Sequence, residues 1–325
     1  MPYASLPVAR TADGSIRGVG LEFEFIGPDV GRTVSALREA LGGEAEGGPH
    51  SQYLRDSSIG DIKVLLDMGF VQREGPDPDL QRVVGEIGGV LVPVEIVLPP
   101  LPHDELDQID PALEALRAAG AQGTSGAALY AFGMHINTEV VSLEIADIYP
   151  VLRAFALIED GIRDSHPIDL GRWMLPFVDP YPRGFIDAMA RGEGRNNPDD
   201  LIDVYTQHNA TRNRGLDMLP ILRAIDAERV QARLPAGEKG GTRPTFHYRL
   251  PDCRIDEPGW SPAVEWNVWT TVERIASDAA LIDALAQGWL AHRARWTTLR
   301  TDWPPRIDAI LREGGYAELK EMMAA

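Results

Sequence analysis

The chain has 325 residues, of which 44% are hydrophobic and 25% are charged, enough to bury the core of one large domain. No apolar run is long enough to cross a bilayer, and the N-terminus carries neither a basic nor an apolar leader region, so we expect a cytoplasmic protein without a membrane partner. The formal charge of −18 would repel a phosphate backbone, which argues against a nucleic-acid partner.

The first predicted strand covers residues 18–26, where glutamates alternate with phenylalanines. Successive side chains of a strand point to opposite faces, so Glu22 and Glu24 share one face and Phe23 and Phe25 share the other. Cα atoms two residues apart in a strand are about 6.6 Å apart, and the paired carboxylates therefore repel each other unless cations bind. Divalent ions such as Mg²⁺ or Mn²⁺ accept such oxygen ligands. The alternative is the solvated face of an amphipathic strand.

A helix is predicted over residues 33–41, a glycine-rich loop over 42–49 and a strand over 61–67. The next strand, residues 90–98, contains Pro93, which predicts an edge position or a bulge. Glu95 is the only charged residue of this strand. A lone carboxylate among apolar residues needs a partner or water, so either a metal site or an exposed edge would satisfy it.

An amphipathic helix is predicted over residues 104–119, followed by a strand over 128–137. Met134 and Ile136 share one face of that strand, and His135 and Asn137 share the other. A histidine among apolar residues is more often a hydrogen-bonded core residue than a metal ligand. Asn137 makes this face polar, however, and so favours a metal-binding site over a core position for His135.

The second half of the chain is predicted to be mainly helical, with arginine-rich helices over residues 143–222 and a C-terminal helical segment from about residue 270. Between them, a strand over 245–250 places His247 and Arg249 on one face. The arginine is suited to binding two phosphate oxygens at once, or to a cross-strand salt bridge. Lys239 lies in a glycine-rich segment that would either close over a nucleotide or form a surface turn. One α+β domain spanning residues 1–325 is the simplest organisation.

Three segments resemble the ordered motifs of the amidoligases: Gly20-Leu-Glu-Phe-Glu-Phe, Val94-Glu-Ile-Val-Leu-Pro-Pro-Leu and Gly133-Met-His-Ile-Asn. Amidoligases belong to the carboxylate–amine ligase superfamily, together with glutamine synthetase and glutamate–cysteine ligase. The resemblance implies a glutamine synthetase-like curved antiparallel sheet that holds divalent ions on its concave face, with helices packed on its convex side. It also implies that ATP phosphorylates a carboxylate and that an amine then displaces phosphate.

The resemblance further implies roles for individual residues. Arg249 matches the arginine of a Glu-aromatic-Arg motif, but the glutamate of that motif is replaced here by His247, an imidazole that prefers a softer metal than Mg²⁺. Glu265, nearby in the sequence, would be able to restore the lost charge. The implied metal ligands are Glu22, Glu24, Glu95, His135 and His247. The candidates for catalysis are Arg249 and Lys239. The candidates for nucleotide binding are Arg249, Arg212, Arg214 and Asn137.

Two other functions fit the same residues. A metal-dependent hydrolase of amides or phosphoesters would use a bound water as its nucleophile, although the chain has no His-Glu-x-x-His motif. A non-catalytic binding protein that keeps the fold is the second, favoured by the replacement at His247. For the ligase, the expected partners are a small-molecule or peptide carboxylate and an amine. A homo-oligomer is compatible with the sequence.

Overall fold

The computed structural model of the chain describes residues 1–67, 92–124, 132–166, 168, 178–235 and 240–324. Nine strands in these ranges form one sheet in which every pair is antiparallel. Their order is β2-β3-β4-β5-β1-β7-β9-β8, and β6 also pairs with β1. The strands are β1 (Gly18–Phe25), β2 (Glu44–Gly48), β3 (Ser51–Ser57), β4 (Gly60–Leu66), β5 (Val94–Val97), β6 (Leu101–Pro102), β7 (Met134–Glu139), β8 (Leu216–Asp217) and β9 (Thr245–Tyr248).

Ten α-helices occur in the described ranges, and together with the sheet they confirm the predicted α+β class. No helix of this part of the chain is long and apolar enough to cross a membrane. The helices are α1 (Val30–Leu41), α2 (Asp110–Ala118), α3 (Ile145–Ser165), α4 (Arg183–Arg191), α5 (Pro198–His208), α6 (Leu219–Gln231), α7 (Pro262–Ala276), α8 (Ala279–Arg293), α9 (Pro304–Glu313) and α10 (Leu319–Ala324).

One face of the sheet is apolar and packs against helices. Phe23 and Phe25 of β1 are fully buried on this face, as their alternation with glutamates predicts. Further along the sheet, the ring of Phe246 in β9 lies 5.3 Å from that of Trp269 in α7, and Tyr248 lies 5.9 Å from Phe155 in α3. Helices α3 and α7 therefore cover this face, which leaves the opposite face for polar residues.

Helix α1 covers the other half of the sheet. The side chain of Asp29 accepts a hydrogen bond from the backbone N–H of Arg32 (2.8 Å) and so begins the helix. Gly42, with a positive φ of 71°, ends it. Val34 and Leu37 are buried where α1 packs on β3 and β4. Local sequence signals thus give this helix both its ends and its buried face.

Two predictions for this half of the sheet are wrong. Residues predicted as a glycine-rich loop contain β2, which pairs with the unpredicted strand β3; β2 is an exposed edge strand and carries no apolar alternation. Pro93 does not place its strand at an edge, because β5 begins directly after it and lies between β4 and β1. A proline at the entrance to a strand removes no hydrogen bond from the strand itself. Residues 90–91 and 128–131, which belong to predicted strands, lie outside the described ranges.

Candidate functional site

The polar face of the sheet brings together residues from four neighbouring strands. Glu24 lies opposite Glu95 in the β1–β5 pair, and Glu22 lies opposite His135 in the β1–β7 pair. One strand further, His247 lies opposite Asn137 in the β7–β9 pair. Directly opposed residues in an antiparallel pair point to the same face, so all six side chains lie on one surface.

These residues line a cavity of about 260 Å³ above the centre of the sheet. Glu22, His135, Asn137 and His247 are buried at its base, whereas Glu24 and Glu95 are partly exposed. The remaining described residues around the cavity come from β4, β5, β9, the start of α6 and the segments next to β4, β8 and β9. They are Lys63, Leu65, Asp67, Val97, Arg212, Pro220, Gly241, Arg243, Thr245 and Arg249.

Three side chains are close enough to share one metal ion. Glu22, Glu95 and His135 each offer one ligand atom, and these atoms lie within 4.8 Å of one another. Glu24 lies beside them, with its Oε1 4.0 Å from His135 Nε2 and its Oε2 accepting a hydrogen bond from the backbone N–H of Gly133 (2.8 Å). Carboxylate oxygens with one imidazole nitrogen form a donor set that suits a divalent ion such as Mn²⁺ or Mg²⁺.

The electrostatics of this cluster also fit a cation. Burial, together with the charges of Glu22 and Glu24, raises the pKa of Glu95 to about 8. Burial acts in the same direction on Glu22, but its hydrogen bond with His135 (3.0 Å) and the charge of that ring outweigh burial and hold the pKa of Glu22 well below its ordinary value. Without a cation, the protein therefore favours the ionised form of Glu22 and disfavours the ionised form of Glu95. A cation bound between them would favour the ionised form of both.

A chain of hydrogen bonds orients His247. Its Nδ1 donates to Oδ1 of Asn137, and Nδ2 of Asn137 donates to Oε1 of Glu22 (3.0 Å). Burial and the nearby His135 ring hold the pKa of His247 well below its ordinary value. His247 is therefore neutral at physiological pH, which is the protonation state of an imidazole that binds a metal.

Arginines form the wall of the cavity beyond β7. Nη1 of Arg249 donates to the backbone carbonyl of Arg212 (2.6 Å), and Nε of Arg212 donates to Oδ2 of the buried Asp217 (3.0 Å). Arg243 reaches the cluster itself, with its Nη1 3.3 Å from Oε1 of Glu22. The site thus places guanidinium groups beside carboxylates, an arrangement suited to an anion such as a phosphate that binds next to a metal.

A sequence model of the family described as "Putative amidoligase enzyme" matches residues 15–271. The chain belongs to this amidoligase family. The matched range contains the nine described strands and the residues that line the cavity. The family name assigns the chain to enzymes of ligase type. No curated protein matches the chain.

Some cavity residues of this amidoligase were missed in the sequence. Arg243 alternates with Thr245, His247 and Arg249 at two-residue spacing, a signal that extends the polar face of β9 toward its N-terminal side. Lys63 and Asp67 belong to the predicted strand at residues 61–67, and the alternation put them on one side. Nothing in the sequence of that strand predicts that it pairs with β5, and only this pairing brings Lys63 and Asp67 to the cavity.

The structure does not bring every candidate to the cavity. Arg214 donates to Oδ1 of Asn209 (2.9 Å) and to the carbonyl of Pro180 (3.2 Å), away from the cavity lining. Glu265 is fully buried and hydrogen-bonded to His166 (2.9 Å), so it does not replace the charge missing at His247. Both residues are near site residues in the sequence, but their side chains make contacts outside the cavity lining. Lys239 lies outside the described residues.

Proposed function

We propose that the chain is an ATP-dependent carboxylate–amine ligase that forms an amide bond through an acyl phosphate. The observation that carries the proposal is the cavity itself, where the ligand atoms of Glu22, Glu95 and His135 lie within 4.8 Å of one another and face Arg212 and Arg249. Carboxylate and imidazole ligands can hold a cation, and the guanidinium groups beside them can bind an anion. The arrangement therefore suits a phosphate that is bound to a metal. The proposed substrates are a small-molecule or peptide carboxylate and an amine.

In this proposal Glu22, Glu24, Glu95, His135 and His247 hold Mg²⁺ or Mn²⁺. Such ions, when bound, neutralise the triphosphate and the charge that develops during phosphoryl transfer. The protein prepares these ligands in advance, because Gly133 orients Glu24 and Asn137 links His247 to Glu22. Partners of this kind fix the orientation of metal ligands.

The arginines are proposed to bind the transferring phosphoryl group. Arg249 is held by its hydrogen bond to the carbonyl of Arg212, so its guanidinium is oriented before any substrate binds. Donors that are already oriented toward developing negative charge lower the barrier without reorganising during the reaction. Arg212, anchored by Asp217, is the second donor of this wall.

The proposed reaction has two steps. A carboxylate oxygen of the substrate attacks the γ-phosphorus of ATP, which forms the acyl phosphate and releases ADP. The amine nitrogen then attacks the carbonyl carbon, the bond from carbon to the phosphate oxygen breaks, and phosphate leaves with the electron pair while the nitrogen loses a proton. Formation of ADP and amide in equal amounts is the signature of this reaction.

The direct test incubates the full chain with ATP, Mg²⁺ or Mn²⁺, and pools of carboxylates and amines, and measures ADP and the mass of new amides. ADP released together with an amide supports the ligase. Hydrolysis of an amide or phosphoester that needs metal but no ATP would instead support the hydrolase.

Two variants make the test specific to the site. Glu24→Gln keeps a carbonyl oxygen as acceptor for the N–H of Gly133 but loses the charge, so we expect the fold to survive and ATP turnover to be lost. Glu44→Gln changes an exposed glutamate on the edge strand β2 and serves as the matched control. Full turnover in Glu24→Gln would show that the reaction does not need the charge of Glu24 and would contradict its proposed role as a metal ligand.

A further inference from the structure

A second cavity, of about 440 Å³, adjoins the first on the same face of the sheet. Its floor is the backbone of β1 at Gly18 and Gly20, and we call it the glycine slot. Glu22, Asn137 and Arg243 line both cavities, so the glycine slot opens directly beside the candidate metal cluster. A ligand lying in the slot therefore ends at the site where the proposed chemistry occurs.

The backbone conformation of β1 does not require glycine at positions 18 and 20. Neither has a positive φ, and a Cβ at Gly20 would lie 3.5 Å from Cβ of Asn137, an ordinary contact distance. A Cβ at Gly18 would lie 3.4 Å from Cβ of Pro100. On this face β1 carries Gly18, Gly20, Glu22 and Glu24 in turn. Gly18 and Gly20 therefore do not relieve backbone strain. Their lack of side chains leaves space for a ligand next to Glu22 and Glu24.

The walls of the glycine slot are mostly apolar and its charge is negative. Val97, Leu98, Pro100 and Pro244 contribute apolar surface. Among the described residues that line the slot, Glu22 is paired with Arg243 (3.3 Å), so the negative charge of the slot comes from Glu139, whose Oε2 accepts a hydrogen bond from the N–H of Gly18 (2.9 Å). An apolar chain that carries an ammonium group fits this surface better than one that carries a carboxylate.

We propose that the glycine slot binds the amine substrate, and that this substrate is a primary amine with an apolar chain. The nitrogen reacts as the neutral amine, after losing a proton to solvent, at the Glu22 end next to the first cavity, and the chain lies over Gly20 and Gly18. The inference rests on the proposed ligase function, since it assigns one of its two substrates to this slot.

The test measures binding of two series of probes to the full chain by calorimetry, independently of turnover. The probes are linear alkylamines from methylamine to hexylamine and linear carboxylates of the same lengths. We expect affinity for the amines to rise by about fourfold for each methylene that enters the slot. Affinity for the carboxylates should rise less steeply with length, because the arginines of the first cavity can bind a carboxylate whatever its chain. An amine affinity that does not depend on chain length, or a steeper rise for the carboxylates than for the amines, would overturn the proposal.

Gly20→Ala tests the position of the ligand. The added methyl group occupies the floor of the slot, so we expect hexylamine to lose about tenfold in affinity and methylamine to lose much less. Gly48→Ala, whose Cβ would meet nothing within 4 Å on the exposed strand β2, is the matched control. Gly18→Ala provides a second variant if Gly20→Ala unfolds at a lower temperature than the parent. Equal affinities for hexylamine in parent, Gly18→Ala and Gly20→Ala would place the amine elsewhere.

The two proposals fail separately. Length-dependent binding of amines without ATP-dependent amide formation would retain the slot and reject the ligase. Amide formation from amines that bind independently of their length would retain the ligase and reject the slot.

Discussion

Glu24 and Glu95 are directly opposed residues of neighbouring antiparallel strands, and both carboxylates line the same cavity. Like charges in this position destabilise a sheet. The repulsion is part of the reason why the pKa of Glu95 is raised to about 8, with burial as the largest cause. This relationship leads to a prediction about the metal-free protein.

We expect Glu95 to contribute a loss of stability to the metal-free protein as pH rises from about 4.5 to about 8. Over this range the folded state keeps a proton on Glu95 that the unfolded state has released, so the free energy of unfolding falls. Glu95→Gln has no such proton and should remove this part of the slope. Urea unfolding in EDTA at several pH values measures it. An unchanged slope in the variant would contradict the assignment, and Mn²⁺ should stabilise the parent more than the variant.

Substitutions of Arg249 and Arg214 are expected to have different effects on kcat, although the sequence predicts both as nucleotide-binding residues. Arg249→Lys keeps the charge but loses the planar guanidinium, and we expect kcat for ATP-dependent amide formation to fall by about 10²- to 10³-fold. Arg214→Lys alters contacts with Asn209 and Pro180 and is expected to affect thermal stability rather than kcat. Steady-state kinetics of both variants decide this, and equal losses of kcat would contradict the placement of Arg214.

His247→Glu should shift the preference of the enzyme toward Mg²⁺, because a carboxylate is a harder ligand than an imidazole. The ratio of Mg²⁺-supported to Mn²⁺-supported activity measures this shift. His247→Gln is the control, since its amide still donates to Asn137 without adding charge. The pKa of His247 is already well below its ordinary value because of burial and His135, so acid loss of activity near pH 6.5 is not expected from this residue. Loss of all activity in His247→Glu would show another role for the histidine.

Arg17 and Glu273 form a buried ion pair that is expected to stabilise the fold. Their side chains are 1% and 4% exposed, and two contacts of 2.7 and 2.8 Å join them. Removing one partner leaves a buried charge, so Arg17→Met or Glu273→Gln should cost about 3–5 kcal/mol of unfolding free energy. The double variant Arg17→Met with Glu273→Met should cost less than the sum. Urea unfolding measures each value, and single losses under about 1 kcal/mol, typical of exposed pairs, would contradict this role.

Alternation along single strands was enough to predict much of the site. In β1 it separated Glu22 and Glu24 from the buried phenylalanines, and in β7 and β9 it put His135 and His247 on polar faces. These are properties of two-residue periodicity, which depends only on local backbone geometry. The α+β class was predictable for the same reason, from strands and amphipathic helices recognised one at a time.

Pairing between strands was not predictable in this way. The edge strand β2 carries no apolar pattern, and Pro93 suggested an edge for β5, a strand that lies inside the sheet. Arg214 and Glu265 lie near site residues in the sequence, yet their contacts are made elsewhere in the fold. Short distance along the chain does not imply a shared cavity.

The alternation of polar and apolar residues is a local property, and it is sufficient to predict which side chains of each strand face away from the core. The neighbours of each strand are a property of the whole fold: β5, β1 and β7 lie side by side in a register that brings the ligand atoms of Glu22, Glu95 and His135 within 4.8 Å of one another. The whole fold also brings Arg243 to Glu22 and opens a slot at Gly18 and Gly20 beside them. Register and neighbour choice depend on contacts between distant segments, and these form only when the whole sheet assembles.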